Sequence, residues 1–143
     1  MQLAWSHRLD DVDWDELSEL YRVAPLGEKP PEALRTVFTN SRYVCFVRSD
    51  GRLVGVGRAI ADGLDAAYIA DVAVHPDTQG TGLGKAIMRR LLELCADHKK
   101  VILYANPGKE GFYEKLGFLP MATAMAVFRD PEGARRSGLV RAD

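Results

Sequence analysis

The feature that most constrains this chain is an uninterrupted run from a strand through a glycine-spaced loop into a helix. It reads AAYIADVAV, HPDTQGTGLG, KAIMRRLLELC, residues 66–95. Ile87, Met88, Leu91, Leu92 and Cys95 fall on one stripe of the helix, with Arg89, Arg90 and Glu93 turned away. An apolar stripe of that width has to lie against a sheet. The next segment, KKVILYAN, reads as a buried strand, so strands 67–74 and 101–105 are expected to run parallel across a helical crossover.

The flanking segments give that sheet its other parts. DDVDWDELSELYRVA has acidic residues where a helix begins, and Trp14, Leu17, Leu20, Tyr21 and Ala24 at spacings of three and four. PLGEKPP breaks this helix, and Pro30 and Pro31 suit the start of a second over EALRTVF. RYVCFVR and RLVGVGRAI around Ser-Asp-Gly predict a hairpin. After residue 106, GKEGFYEKLG reads as a short helix stopped by Gly117, and FLPMATAMAVF as one or two closing strands. From Arg129 the apolar periodicity fades, so residues 1–129 are expected to form one domain and 130–143 a flexible tail.

Composition removes several function classes. A chain of 143 residues, 47% hydrophobic, can bury one sizeable core. Its 19 basic and 20 acidic residues nearly cancel, so no general field draws it to nucleic acid or to an acidic membrane. Cys45 and Cys95, the only cysteines, sit at apolar positions and read as buried thiols of a reducing compartment. With no leader-like N-terminus and no run of about 18 apolar residues, a soluble cytoplasmic protein is expected.

The glycine loop is built for an anion. Glycines ahead of a helix let backbone N–H groups converge where the helix dipole also favours negative charge. Spacing then restricts the guest. A Walker A loop ending in Gly84-Lys85 would need glycine at Gln79 and a hydroxyl at Ala86. A dinucleotide fingerprint beginning at Gly80 would need a small residue at Lys85.

Gln79, Gly82 and Gly84 do satisfy Gln-x-x-Gly-x-Gly directly after a strand ending VAVHP. The stretch resembles the acetyl-CoA loop of the GNAT superfamily of N-acetyltransferases. YANPGKEGFYEKLGF is similar to that family's segment of a strand ending in Asn, a helix carrying Phe-Tyr, and Leu-Gly-Phe, with Asn106 and Tyr113 seven residues apart. These two motifs span residues 67–118. LDAAYIADVAVHPDTQGTGLGKAIM further resembles the subgroup containing plant plastid and serotonin N-acetyltransferases.

The resemblance implies an α/β GNAT-like fold: a mixed, mainly antiparallel sheet splayed at the cofactor site, with helices on both faces. It implies acetyl-CoA as cosubstrate, no metal, and direct attack by an acceptor amine in a ternary complex. A small-molecule acceptor is expected ahead of a protein, nucleic acid and membrane are not expected partners, and a homodimer is compatible with it. Gln79, Gly80, Thr81, Gly82, Leu83 and Gly84 would wrap the pyrophosphate through their amides, with Lys85 adding charge. Val72 and Val74 would pair through their backbones with the pantetheine arm, and Asn106 would hold another part of the cofactor. Tyr113 would protonate the departing thiolate.

No general base stands out. The strand position used by some family members is Val101 here, and Ala70 cannot act. Asp71, the carboxylate of the strand before the loop, is the candidate base or amine-orienting group, with structural hydrogen bonding as the alternative; strict alternation turns it away from the face of Ala70, and a bulge or splay would redirect it. His75, in the turn before Pro76, reads as a loop residue. Trp14, Tyr21, Phe38 and Met121 could line an acceptor pocket or fill the core. A CoA-binding sensor without catalysis is the alternative function.

Overall fold

A computed structural model of the chain describes residues 2–141. They belong to two compact units, Met1–Leu103 and Tyr104–Asp143. The first begins with a strand that the sequence pattern did not announce, β1 (Leu3–Ser6), at the sheet edge. Its four residues are too few to display a period, and antiparallel pairing with residues 46–49 creates it. The acidic stretch that follows does start a helix, α1 (Trp14–Val23), because the Asp13 carboxylate accepts from the amides of Asp15 and Glu16 at 3.0 and 3.1 Å. Pro31 opens α2 (Pro31–Thr39), where its missing N–H has no intrahelical role.

β2 (Tyr43–Ser49) and β3 (Arg52–Ala61) form the expected hairpin. Asp50 and Gly51 both adopt left-handed φ, 52° and 82°, as a two-residue turn between twisted strands requires. β4 (Ala66–Val74) pairs antiparallel with β3. α3 (Leu83–Leu94) then carries the chain across to β5 (Lys100–Ile102), parallel to β4 from Ala66↔Lys100 to Tyr68↔Ile102. Among the described residues the sheet order is β1-β2-β3-β4-β5.

Each face of this sheet is covered. Leu17, Leu20 and Tyr21 of α1 and Leu34 and Phe38 of α2 pack with Val44, Phe46, Leu53, Val56 and Ala73. The opposite face meets Leu83, Ile87 and Leu91 of α3, and two strand glycines set how closely that helix approaches. A Cβ on Gly57 would lie 2.8 Å from Leu91 Cδ1, 3.1 Å from Ile87 Cγ2 and 3.2 Å from Val72 Cγ2. Gly57→Val is therefore expected to cost about 1–3 kcal/mol by overpacking. Urea unfolding should show a lower midpoint at unchanged slope, and an unshifted midpoint would mean that α3 is not seated so tightly. Cys45 and Cys95 are buried free thiols, and burial pushes Cys45 up to about 11, which keeps it protonated and inert.

The second unit holds α4 (Glu110–Glu114), closed where Gly117 takes φ 100° and Phe118 N–H returns to the Tyr113 carbonyl at 3.1 Å. Residues 131–136 form α5 (Pro131–Arg136) despite their lack of apolar periodicity. Asp130 caps it by accepting from Gly133 N–H at 3.0 Å, and Ala134 is buried. The closing strands expected over 118–128 are not found. Leu119, Met121, Met125 and Val127 are exposed there, in a stretch that enters no ladder. Alternation makes a segment competent for a strand, but pairing makes the strand, and pairing is not written in the segment itself.

Candidate active site

The turn after β4 is held by its own short side chains. His75 N–H donates to the Val54 carbonyl at 2.7 Å, and His75 Nδ1 accepts from Asp77 N–H at 3.1 Å, closing a single 3-10 turn at Pro76–Thr78. His75 is thus a turn residue, as its sequence position implied. Thr78 Oγ1 donates to the His75 carbonyl at 2.9 Å and Thr81 Oγ1 to the Thr78 carbonyl at 2.5 Å. Two left-handed glycines follow, Gly80 at φ 82° and Gly82 at φ 88°. A Cβ on either would meet nothing within 4 Å, so backbone conformation rather than crowding demands glycine, and the space beside the chain is open.

Gly82 is the N-cap of the twelve-residue α3, and no side chain caps it. Ala86 is the first amide to reach an intrahelical acceptor, Gly82 O at 3.0 Å. The amides of Leu83, Gly84 and Lys85 therefore lie ahead of the helix's internal bonding. Gln79 through Lys85 contains no acid, and Lys85 is its one charged residue. Amides, a dipole and a lysine suit a pyrophosphate; no hydroxyl or carboxylate stands in that stretch where a phosphate-bound magnesium would need one, apart from Thr81, whose hydroxyl is turned to Thr78.

The strand leading into the loop is splayed as expected. β4 is nine residues long and pairs with β5 over three. From Ile69 to Val74 the edge away from β3 joins no ladder among the described residues. Val72 and Val74 lie on this edge, their side chains directed toward α3, near the Cβ positions of Gly57 and Gly84. Their main-chain groups can pair with an extended ligand as a further strand would.

Asp71 marks a β-bulge. Between Val56↔Ala73 and Arg58↔Ala70, β3 advances two residues while β4 advances three, and Asp71 takes φ 56°. Asp tolerates that left-handed conformation better than most residues. Strict alternation is broken there: the Asp71 carboxylate turns to the face of Ala70, where Arg58 Nε donates to Oδ2 at 2.7 Å. Lys29 Nζ lies 3.8 Å from Oδ1, and Tyr21 Oη donates to the Asp71 carbonyl at 2.6 Å. Burial, with the Asp71 charge adding to it, holds the Tyr21 phenol well above its usual range. Tyr21 is a fixed donor to the bulge rather than an acid at working pH.

Arg58 and Lys29 were not singled out in the sequence. An arginine in the interior of the apolar run LVGVGRAI was the available signal, because a charge at such a position needs a partner. Tyr21 and Phe38, considered as acceptor-pocket residues, are fully buried core, and Trp14 packs against that core, 6.2 Å from Phe38 between ring centres.

Asn106 and Tyr113 lie in the second unit. Asn106 is exposed, and its carbonyl accepts from Lys109 N–H at 3.0 Å. Met121, the fourth pocket candidate, is exposed there too. Tyr113 is half-buried, its ring 5.1 Å from Phe112 and 6.1 Å from Phe118 between centres. Burial raises its pKa above the ordinary phenol value, so it carries its proton throughout the neutral range and can donate it.

The profile of the Acetyltransferase (GNAT) family matches residues 10–118, a span that contains both the loop and the Asn106–Tyr113 segment. The chain belongs to the GNAT acetyltransferase family. Among its relatives, the uncharacterized N-acetyltransferase ycf52 of Pyropia yezoensis is 31% identical over 131 residues, covering 87% of this chain and 70% of that protein. Serotonin N-acetyltransferase 2, chloroplastic, of Oryza sativa subsp. japonica is 36% identical over 116 residues, covering 75% of this chain and 56% of that protein. The crystal structure of a Trypanosoma brucei acetyltransferase superposes with a TM-score of 0.70 at 25% identity, over 89% of this chain and 99% of that one. This is a GNAT N-acetyltransferase sequence on a GNAT fold, and acetyl-CoA is the GNAT family's cosubstrate.

Proposed function

We propose that this GNAT chain transfers an acetyl group from acetyl-CoA to the primary amine of a small molecule, by direct attack in a ternary complex. The observation that carries the reading is the uncapped N-terminus of α3 behind two left-handed glycines, continuous with the open edge of β4. Gln79 to Gly84 would wrap the pyrophosphate, chiefly through their amides, with Lys85 adding charge, Val72 and Val74 would hold the pantetheine arm, and Asn106 a further part of the cofactor. Acetyl-CoA supplies an activated thioester. The amine nitrogen bonds to its carbonyl carbon as the C–S bond breaks, and Tyr113 gives its proton to the sulfur. Asp71 orients the amine from the bulge or receives its proton. A cytoplasmic setting and a homodimer belong to the same proposal, and fractionation of cells and sedimentation of the purified chain test them.

A second reading is a CoA-binding sensor, favoured by one observation: the Asp71 carboxylate is engaged by Arg58 and lies beside Lys29. Thioester consumption across a panel of amines separates the two. The enzyme reading expects turnover with at least one class of amine, and binding without turnover across the whole panel would leave the sensor. Calorimetry should give the same acetyl-CoA affinity with and without a chelator, since the loop offers phosphate its amides rather than a metal. Tighter binding of magnesium-ATP than of acetyl-CoA would defeat the assignment.

A further inference from the structure

Resting on the acetyltransferase reading above, we propose that Lys29 and Arg58 select acceptor amines that also carry an anionic group, a carboxylate or a phosphate, close to the nitrogen. The bulge at Asp71 immediately precedes the β4 edge assigned to the pantetheine arm, so the charges gathered there face whatever amine approaches the thioester. Two cations share one carboxylate, which leaves the trio with one net positive charge. Its members differ in freedom. The Arg58 side chain is 12% exposed and tied at both ends, to Asp71 Oδ2 at 2.7 Å and to Ser41 Oγ at 3.2 Å.

Lys29 is held differently. Its backbone is anchored, because Ser18 Oγ donates to the Lys29 carbonyl at 2.6 Å, while its side chain is 31% exposed and its ammonium stays 3.8 Å from Asp71. The same ammonium lies 5.4 Å from the centre of the Tyr21 ring, a contact that positions the charge without cancelling it. A partly exposed cation on a fixed backbone, beside a carboxylate whose other oxygen pairs with arginine, is available to a second anion. Partial burial strengthens the effect relative to water. A simple ammonium approaching this trio meets net repulsion, and an amine bearing its own anion meets attraction.

Matched acceptors test this: 4-aminobutyrate against 4-aminobutanamide, and phosphoethanolamine against ethanolamine, in the wild-type protein and in Lys29→Met and Lys29→Arg. The wild type should favour the anionic member of a pair by about tenfold in kcat/KM, the worth of one partly exposed charge-assisted contact. The preference should sit in KM, shrink toward unity in Lys29→Met and persist in Lys29→Arg. Calorimetry of the same amines on CoA-loaded protein should follow the same order without any turnover. A preference within one pair alone supports the proposal and names the anion. Equal use of both members, preference for the neutral member, or an undiminished preference in Lys29→Met overturns it while leaving the acetyltransferase reading intact. Loss of acetyl-CoA binding itself in the wild type would overturn both.

Discussion

Tyr113→Phe should lower turnover by roughly 10²–10⁴-fold, the range a positioned general acid contributes, while acetyl-CoA affinity stays nearly intact. The substitution keeps the ring and its contacts with Phe112 and Phe118 and removes only the hydroxyl. The pH profile gives an independent reading. The Tyr113 pKa is raised by burial, so the acid form is fully present at neutral pH and is lost only as pH climbs through that raised value. The wild-type rate should therefore fall at the alkaline end where chemistry limits turnover, and the variant should lose that limb. Wild-type rates for Tyr113→Phe in single-turnover experiments would make the residue core filling and leave water as the proton source.

Gly82→Val should weaken acetyl-CoA binding by about tenfold to a hundredfold, the worth of one or two charge-assisted N–H bonds to phosphate. At φ 88° a β-branched residue is strained however much room surrounds it. The chain relieves that strain by rotating the amides that start α3. Gly63, at φ 90° in the turn between β3 and β4, supplies the control, since Gly63→Val carries comparable backbone strain away from the loop. Thermal unfolding should fall in both variants, and calorimetry should register lost affinity in Gly82→Val alone. Equal affinities in the two would remove the loop from cofactor binding.

The loop could be read from sequence because glycine spacing encodes backbone conformation directly. Positive φ at Gly80 and Gly82 and the helix start at Leu83 all follow from local chemistry. The Asp50–Gly51 hairpin and the parallel β4–β5 pair were legible for the same reason, being set by neighbours in the chain or by one crossover. What escaped depends on partners far away in sequence. β1 is four residues that exist as a strand because β2 lies beside them. Residues 118–128 alternate like a strand yet enter no ladder. The Asp71 bulge needs one extra residue relative to β3, a count invisible from β4 alone. Arg58 and Lys29 reach it from positions 13 and 42 residues away in the chain.

The bulge also divides β4 into two stretches that would serve the two substrates by different means. Downstream, the donor would be gripped by main-chain amides and carbonyls, while the side chains of Val72, Ala73 and Val74 serve packing against α3 and the core. Upstream and across the face of Ala70, the groups proposed to meet the acceptor are side chains: Asp71, Arg58, and Lys29 from the loop after α1. New acceptors can then be acquired by exchanging a handful of side chains, with the acetyl donor retained throughout. Libraries aimed at altered acceptor choice belong at positions 29, 58, 70 and 71, and positions 79–85 are best left untouched.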